Sequence, residues 1–261
     1  MSEKRHGMSR QEIEAYRERH GKGPHVAADL AVVSVPWWMP RPRLHVLLVR
    51  RGRGPYEGAL ALPGGFVEME EDLEVAARRE LAEETGLVSL GGAHIEQLKA
   101  YGMPTRDPRG RVVTVVFLAL VPWHELGHAV AGDDAADARF YGMEGAVALD
   151  EAGRGVAMAF DHDLALRDVR LRLRELALHS SAPLLLLPAE FGIEQARAAY
   201  EVVLEERLDP ERFDPWLYGQ GWLELVEKPK GEVDRKMARH RLRQARATWA
   251  RHAASGAQSQ R

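Results

Sequence analysis

The chain has 261 residues, a formal net charge of −3 and no cysteine, which excludes disulfides, thiol nucleophiles and cysteine-bound metals. Hydrophobic residues make up 45% and charged residues 29%, which is typical of a globular protein with one large domain or two smaller ones. No stretch has the length of a membrane helix and the charged N-terminus lacks a signal-peptide core, so we expect a cytoplasmic protein with no membrane partner.

Hydrophobic periodicity and turn residues predict strands and helices that alternate irregularly. Helices are predicted at residues 10–19, 72–85, 164–178, 193–204 and 209–220, strands at 26–35, 44–49, 88–95, 97–101, 112–121, 138–147 and 221–226, and a polar loop at 125–137. The strand at 112–121 is continuous and β-branched, so we expect it to be buried on both faces. The pattern predicts an α/β fold with a mixed sheet between helices.

A change of character near residue 180 predicts a second domain. Ser180-Ser181-Ala182-Pro183 resembles a short linker, and the two helices and one strand that follow are compatible with part of a winged helix. We therefore expect four parts, which are a polar lead at 1–24, a main domain at 25–179, a small α+β domain at 184–251 and a disordered tail at 252–261.

The most informative stretch runs from Gly65 to Leu87. Glu80, Glu83 and Glu84 are spaced i, i+3 and i+4, so they share one face of the predicted helix, where three like charges repel one another unless a cation lies between them. Oxygen ligands suit Mg²⁺ or Mn²⁺ rather than zinc. The preceding Leu62-Pro63-Gly64-Gly65 lets the backbone approach metal and phosphate. The alternative is a solvated acidic helix face without a ligand.

This stretch resembles the Nudix box, and every fixed position of that motif is filled. They are Gly65, Glu71, Arg79-Glu80-Leu81, Glu83-Glu84 and Gly86-Leu87. The resemblance implies an α/β/α sandwich over about residues 25–178 and a hydrolase that needs Mg²⁺ or Mn²⁺. It implies metal ligands at Glu80, Glu83, Glu84 and Gly64, catalytic roles for Glu83 and Glu84, and an arginine, Arg79, that orients a box glutamate. Family members are commonly dimers, so we expect a homodimer.

A second stretch points to the substrate. Residues 103–111 (MPTRDPRGR) form a turn-rich loop whose arginines offer planar donors to a diphosphate or a ribose. The loop resembles the P-x-R-D-P-R loop of the ADP-ribose-preferring Nudix branch, which implies cleavage of ADP-ribose to AMP and ribose 5-phosphate. The predicted substrate-binding residues are Arg51, Arg106, Asp107 and Gly65. Of Arg50 and Arg51, strand alternation places only one toward the substrate. The alternative for the loop is a solvated basic turn.

Phe160-Asp161-His162-Asp163 resembles a segment before the last helix of the same branch. We interpret His162 only as an N-terminal residue of that helix. An aromatic side chain is expected to stack on the base, and the sequence leaves its identity open.

The C-terminal region resembles the winged-helix domain of Nudix-related transcriptional regulators that sense ADP-ribose, which implies DNA binding as the alternative function. Residues 187–191, Tyr200, Leu208-Asp209 and residues 221–223 carry this resemblance. The predicted recognition helix argues against it, because it holds Glu211, Asp214 and a helix-breaking Pro215, with Arg212 as its one basic residue. Nine Lys and Arg residues at 228–251, in a mostly helical stretch, could contact phosphates or pack at a dimer interface. A domain that serves only dimerisation is a third possibility.

Overall fold

A computed structural model describes residues 9–20, 23–90, 93–130, 138–227 and 239–243. The helices are α1 (Arg10–His20), α2 (Leu73–Thr85), α3 (His162–His179), α4 (Ile193–Leu204) and α5 (Pro210–Gly219). The strands are β1 (His25–Ser34), β2 (His45–Arg50), β3 (Leu60–Ala61), β4 (Gly64–Phe66), β5 (His94–Tyr101), β6 (Val112–Leu120), β7 (Ala138–Glu144), β8 (Val147–Leu149), β9 (Leu223–Glu227) and β10 (Arg239–Leu242). Two 3₁₀ helices span Trp123–Val130 and Ala182–Leu186. No helix in these ranges is long and apolar enough to cross a membrane.

An eight-stranded mixed sheet forms the centre of the fold, in the order β5-β6-β1-β2-β7-β8, with β3 paired to β2 and β4 paired to β1. Strands β1 and β6 run parallel, with Leu30 opposite Phe117, and the other pairs in the sheet are antiparallel. β6 is buried at eight of its nine positions, as its unbroken apolar sequence predicts.

Each face of the sheet is covered by helix, so the layers are α/β/α. On one face, Ala76, Ala77 and Leu81 of α2 pack with Leu30 and Leu47. On the other face, α3 and the C-terminal helices pack against Ala31, Val33 and their neighbours. Successive residues of β1 therefore enter opposite cores, as the alternation of side chains along a strand requires. The predicted mixed α/β architecture is confirmed.

The C-terminal helices share a hydrophobic core with the sheet. Tyr200, Phe213 and Leu217 lie in the same cluster as Leu166 of α3, and the Tyr200 hydroxyl donates to the Ser180 carbonyl at 2.8 Å. After α5, strands β9 and β10 pair antiparallel, so the predicted order of two helices and a strand is confirmed and extended by a second strand.

One predicted strand begins at the wrong residue, and one predicted helix is partly a strand. The strand expected at residues 88–95 begins only at His94 and continues to Tyr101, while Val88 is 86% exposed. The apolar, β-branched Val88 shortly after the glycine that ends α2 suggested a strand, but this residue lies in an exposed stretch of chain without strand structure. Of the predicted basic helix, residues 239–242 form strand β10, in which buried His240 stands between exposed Arg239 and Arg241. Alternation in the sheet overrides helix propensity here. The remainder of that stretch lies outside the described residues.

Two further predictions, a loop after β6 (in part) and a helix break at Pro215, are wrong. A 3₁₀ helix at Trp123–Val130 takes up the first part of the loop expected at 125–137, and residues 131–137 of that loop lie outside the described residues. Pro215 does not break α5. The bond that a proline at this position removes would reach the carbonyl of Glu211, in the first turn of the helix, so most of the hydrogen-bond ladder remains.

Candidate active site

The glutamate-bearing helix α2 is set by its ends. The Asp72 side chain accepts a hydrogen bond from the Leu73 amide at 2.6 Å, and Gly86 adopts the left-handed conformation (φ 73°) while its amide bonds to the Ala82 carbonyl. The predicted helix from Asp72 to Thr85 and its glycine stop are confirmed. Burial of the alanine and leucine face against the sheet turns Glu80 and Glu84 toward a cavity.

The Gly64-Gly65 pair lets strand β4 approach both β1 and α2 closely. A Cβ atom on Gly64 would lie 2.2 Å from Asp29 Oδ1, and one on Gly65 would lie 2.3 Å from the Glu80 carboxylate. The Gly64 amide donates to Glu84 Oε2 at 3.0 Å. Only glycine permits these contacts, so the turn brings the backbone directly beneath the two carboxylates.

Arg79 lies among the box carboxylates and organises them. Its Nε and Nη2 donate to Glu71 at 2.8 and 2.9 Å, and its Nη1 donates to Glu80 at 2.8 Å and to Glu83 at 3.3 Å. A further bond from Nη2 reaches the Phe66 carbonyl at 3.0 Å. These contacts fit the orienting role that the resemblance implies for this arginine, because one guanidinium fixes the positions of three glutamates.

A cavity of about 580 Å³ lies in front of α2 and β4. Of the four predicted metal ligands, Glu80, Glu84 and Gly64 line it, whereas the Glu83 side chain is 60% exposed and turned toward Arg79. Within the described part of the chain, no three acidic or histidine side chains are close enough to form a metal-binding group. The structure thus brings two of the three predicted carboxylates together at the cavity.

Glu84 carries the most perturbed charge of this group. The pKa of Glu84 is raised to about 7. The main cause is partial burial, which removes water from the carboxylate; the charges of Glu80 and Asp29 add to it, and the hydrogen bond from the Gly64 amide opposes it. The Glu84 side chain is still reached by solvent through the open cavity. A carboxylate whose pKa is raised by burial and by two neighbouring carboxylates marks a position where a cation would be favourable.

Two residues of the cavity wall were missed or underrated by sequence reasoning. Asp29, 6% exposed in the middle of β1, accepts a hydrogen bond from Thr114 Oγ1 at 2.6 Å. His162 is the first residue of α3, as expected, but it is buried, and its Nδ1 accepts the Leu62 amide proton at 2.9 Å. Burial lowers the pKa of His162, although Asp29 Oδ2 lies 3.6 Å from its Nε2. The sequence offered one indication of this site, because Asp29 interrupts the otherwise apolar stretch at 26–35.

The arginines that line the cavity differ in their availability. Arg106 is buried and bonded through Nε and Nη2 to Asp161, with the shortest contact at 2.6 Å. Asp107 is paired with Arg109 at 2.7 Å. By contrast, Arg51 has no ion pair among the residues that the structure describes, and its Nε donates to the Pro55 carbonyl at 2.7 Å. Burial lowers the pKa of Arg51, and adjacent Arg109 adds to the effect.

Arg50 also borders the cavity, so the expected division between the two neighbouring arginines is not complete. Its Nη1 donates to the Gly58 carbonyl at 2.8 Å, and its side chain is exposed. Arg51 is the more enclosed of the two and is the better candidate to meet a ligand.

Three aromatic rings line the cavity, Tyr16 of α1, Phe66 of β4 and Phe160 before α3. The Arg109 guanidinium lies between 5.2 and 5.8 Å from the centres of all three rings. Phe160 has a left-handed backbone (φ 56°) and also lies 4.7 Å below Arg51. These rings are the candidates for the base-stacking side chain that the sequence left open.

Comparison with known proteins agrees with this geometry. Residues 30–159 match the NUDIX domain. The "ADPR responsive transcriptional repressor NtrR" of Acinetobacter baylyi is 30% identical over 217 residues, which cover 82% of this chain and 80% of that protein. The chain belongs to the Nudix family. A further relative, the ADP-ribose pyrophosphatase of Methanocaldococcus jannaschii, is 41% identical over 123 residues, 47% of this chain and 64% of that protein.

Two solved Nudix structures resemble the chain beyond the Nudix domain. Shewanella oneidensis NrtR complexed with a 27mer DNA is 27% identical, with a TM-score of 0.68 over 84% of this chain and 93% of that one. A MutT/nudix family protein from Enterococcus faecalis is 26% identical, with a TM-score of 0.67 over 90% of this chain and 94% of that one. The added C-terminal helices therefore have counterparts within the Nudix family.

The type of ligand present fits the divalent metal that Nudix hydrolases use. Glu80 and Glu84 place carboxylate oxygens in one cavity wall beside the Gly64 amide, although the described side chains do not bring a third carboxylate or histidine close enough to complete the group. Oxygen donors of this kind suit Mg²⁺ or Mn²⁺. The adjacent Gly64-Gly65 backbone leaves no side chain between the carboxylates and the cavity.

Proposed function

We propose that the protein is a divalent-metal-dependent hydrolase that cleaves the pyrophosphate of a nucleoside diphosphate derivative, with ADP-ribose giving AMP and ribose 5-phosphate. The observation that carries the proposal is the complete Nudix box, from which Glu80 and Glu84 border the same cavity as Arg51. The 41% identity to an ADP-ribose pyrophosphatase supports this substrate class.

The cavity offers complementary groups to such a substrate. Its volume of about 580 Å³ lies within the range of small-molecule sites, roughly 300–1,000 Å³. Arg51, which lacks a carboxylate partner among the described residues, supplies positive charge for a phosphate. Arg106 and Asp107, which are engaged in ion pairs, would bind the substrate with their remaining donors and acceptors while they shape the loop.

Glu80 and Glu84 would hold Mg²⁺ or Mn²⁺, with Glu83 and Gly64 as the further proposed ligands. When bound, such an ion polarises phosphoryl oxygens and lowers the pKa of water. Hydrolysis adds water to one phosphorus, and the bridging oxygen leaves with the other phosphate. Glu84, which borders the cavity beside Glu80, is our first candidate to accept the proton of water.

The test is a substrate panel with two matched variants. ADP-ribose, NAD, NADH, diadenosine polyphosphates, nucleotide sugars and nucleoside triphosphates are incubated with Mg²⁺, and products are separated by chromatography. We expect AMP to appear fastest from ADP-ribose, and Glu84→Gln to lose at least about 100-fold in rate while it melts like wild type. Glu74→Gln is the control, since Glu74 pairs with Arg78 on an exposed face of the same helix. Full turnover by Glu84→Gln and Glu83→Gln would contradict the assignment.

A second function has support from a different observation. The similarity to a transcriptional repressor and to a DNA-bound structure covers more than four-fifths of the chain, so we also propose an ADP-ribose-sensing regulator that binds DNA. Exposed Arg239 and Arg243 on and after β10 supply basic groups, while Arg241 between them is paired with Glu224 and α5 remains acidic. A gel shift on a promoter with and without ADP-ribose tests this function. Release of bound DNA by ADP-ribose, without turnover, would make it the leading one.

We propose a homodimer in either case. Light scattering after size-exclusion chromatography measures it, and a monomeric mass at micromolar concentration would contradict it.

A further inference from the structure

The loop Leu62–Gly65 is held from two sides. On the side of α2, the Gly64 amide bonds to Glu84, and Gly65 lies against the Glu80 carboxylate. On the side of the sheet, the Pro63 carbonyl accepts from the Leu30 amide at 2.9 Å. Gly64 and Gly65 also pair with Asp29 and Ala28 of β1. Leu62, before this pairing begins, is bonded to a side chain, because its amide donates to His162 Nδ1 at 2.9 Å in a buried position.

This hydrogen bond determines the protonation pattern of the imidazole. A backbone amide can only donate, so Nδ1 must be the unprotonated nitrogen and the ring proton must lie on Nε2. Nε2 faces Asp29 Oδ2 at 3.6 Å, and the same oxygen accepts from Thr114 Oγ1 at 2.6 Å. The other Asp29 oxygen touches Gly64, where a Cβ atom would come within 2.2 Å. Asp29 and His162, which also line the cavity, therefore lie against two successive parts of the loop.

The position of His162 is itself specified by its neighbours. Phe160 adopts a left-handed backbone, and Asp161 at the start of α3 is locked by its buried ion pair with Arg106. A left-handed backbone at a non-glycine residue costs conformational energy unless the surrounding structure stabilises it. Together with the Asp161 ion pair, it places the His162 side chain against the Leu62 amide. The match to the NUDIX domain covers residues 30–159, so Asp29 and His162 lie at its two borders and outside it.

We propose that His162 is a positioning residue that, through Nδ1 and the Leu62 amide, keeps Gly64 and Gly65 in register with Glu84 and Glu80. The inference rests on the proposed hydrolase function for its kinetic readout. A supporting contact behind metal-binding carboxylates typically changes metal affinity or activity by about 10–100-fold when it is lost.

Two amide variants, each of which reproduces the position of one imidazole nitrogen, separate this role from simple packing. In His162→Asn, the amide oxygen replaces Nδ1 as the acceptor for Leu62, whereas in His162→Gln the acceptor moves to the place of Nε2 and the Leu62 amide loses its partner. The control is His45→Asn, because His45 is a buried histidine that lies outside this cavity. For each variant, kcat and KM for ADP-ribose at saturating Mg²⁺ and the Kd for Mn²⁺ by titration calorimetry are measured.

We expect His162→Asn and His45→Asn to stay within about threefold of wild type, and His162→Gln to lose at least about tenfold in kcat and in Mn²⁺ affinity, with KM little changed. Equal losses in both His162 variants, or no loss in His162→Gln, would overturn the proposal. If wild-type protein turns over no substrate, the hydrolase function fails, while the Mn²⁺ affinities still decide the role of His162. If the variants do not fold, ¹⁵N NMR of the wild-type imidazole decides, since a proton on Nδ1 would overturn the proposal.

Discussion

Replacing Gly64 by alanine is expected to destabilise the fold, because the added Cβ atom would clash with atoms of β1. It would lie 2.2 Å from Asp29 Oδ1, 2.5 Å from the Ala28 carbonyl oxygen and 2.6 Å from Asp29 Cα. Two of these atoms belong to the backbone of β1, which is held between β4 and β6 in the sheet. Overpacking of this kind costs about 1–3 kcal/mol. The melting temperature should fall by about 2–4 °C for each kcal/mol.

The neighbouring Gly65→Ala variant should behave differently. The three atoms nearest to its Cβ atom would all belong to the end of the Glu80 side chain, at 2.3–2.6 Å, and that carboxylate can rotate away. We therefore expect a stability cost below about 1 kcal/mol. Displacement of Glu80 should instead weaken Mn²⁺ binding and slow ADP-ribose turnover by at least about tenfold.

Urea denaturation followed by circular dichroism, with calorimetric melting as a second probe, measures the stability of each variant. Gly110→Ala is the control, because a Cβ atom on Gly110 meets nothing within 4 Å. The reasoning would be refuted by a Gly64→Ala variant within about 0.5 kcal/mol of this control. It would also be refuted if Gly65→Ala were the less stable of the pair.

Two further contacts yield predictions at a distance from the cavity. Buried Arg170 donates to the Val203 carbonyl and lies 2.8 Å from Glu205, which is partly exposed and accepts no hydrogen bond from it. Arg170→Met leaves the buried carbonyl unpaired and should lower the free energy of unfolding by about 1–3 kcal/mol in urea titrations; an unchanged midpoint would contradict this. Although burial opposes ionisation, hydrogen bonds from His94 and Arg172 lower the pKa of Glu96 to about 2, from 4.5. Its ionised form thus stabilises the fold above about pH 4.5, and this contribution is lost as the pH falls toward 2. The stability difference between wild type and Glu96→Gln should shrink from pH 6 to pH 3, and a constant difference would be inconsistent with the assignment.

Much of the fold follows from local patterns in the sequence. Helix α2, with its aspartate cap and glycine stop, and the doubly buried strand β6 are encoded by neighbouring residues, and both were predicted within a residue or two. The errors arise where local signals are ambiguous. Exposed Val88 resembles a strand residue, and the arginine-rich residues of β10 resemble a helix until their pairing with β9 is known.

The grouping of the box carboxylates was open to sequence reasoning, because the spacing along one helix brings Glu80 and Glu84 to one face, where both border the cavity. Their partners were not, since each contact joins distant parts of the chain. Arg106 meets Asp161 across 55 residues, Asp29 meets Thr114 across 85, and Leu62 meets His162 across 100. Only the sheet topology and the docking of α3 decide which arginine keeps its charge free, which glutamate faces the cavity and which histidine supports the loop.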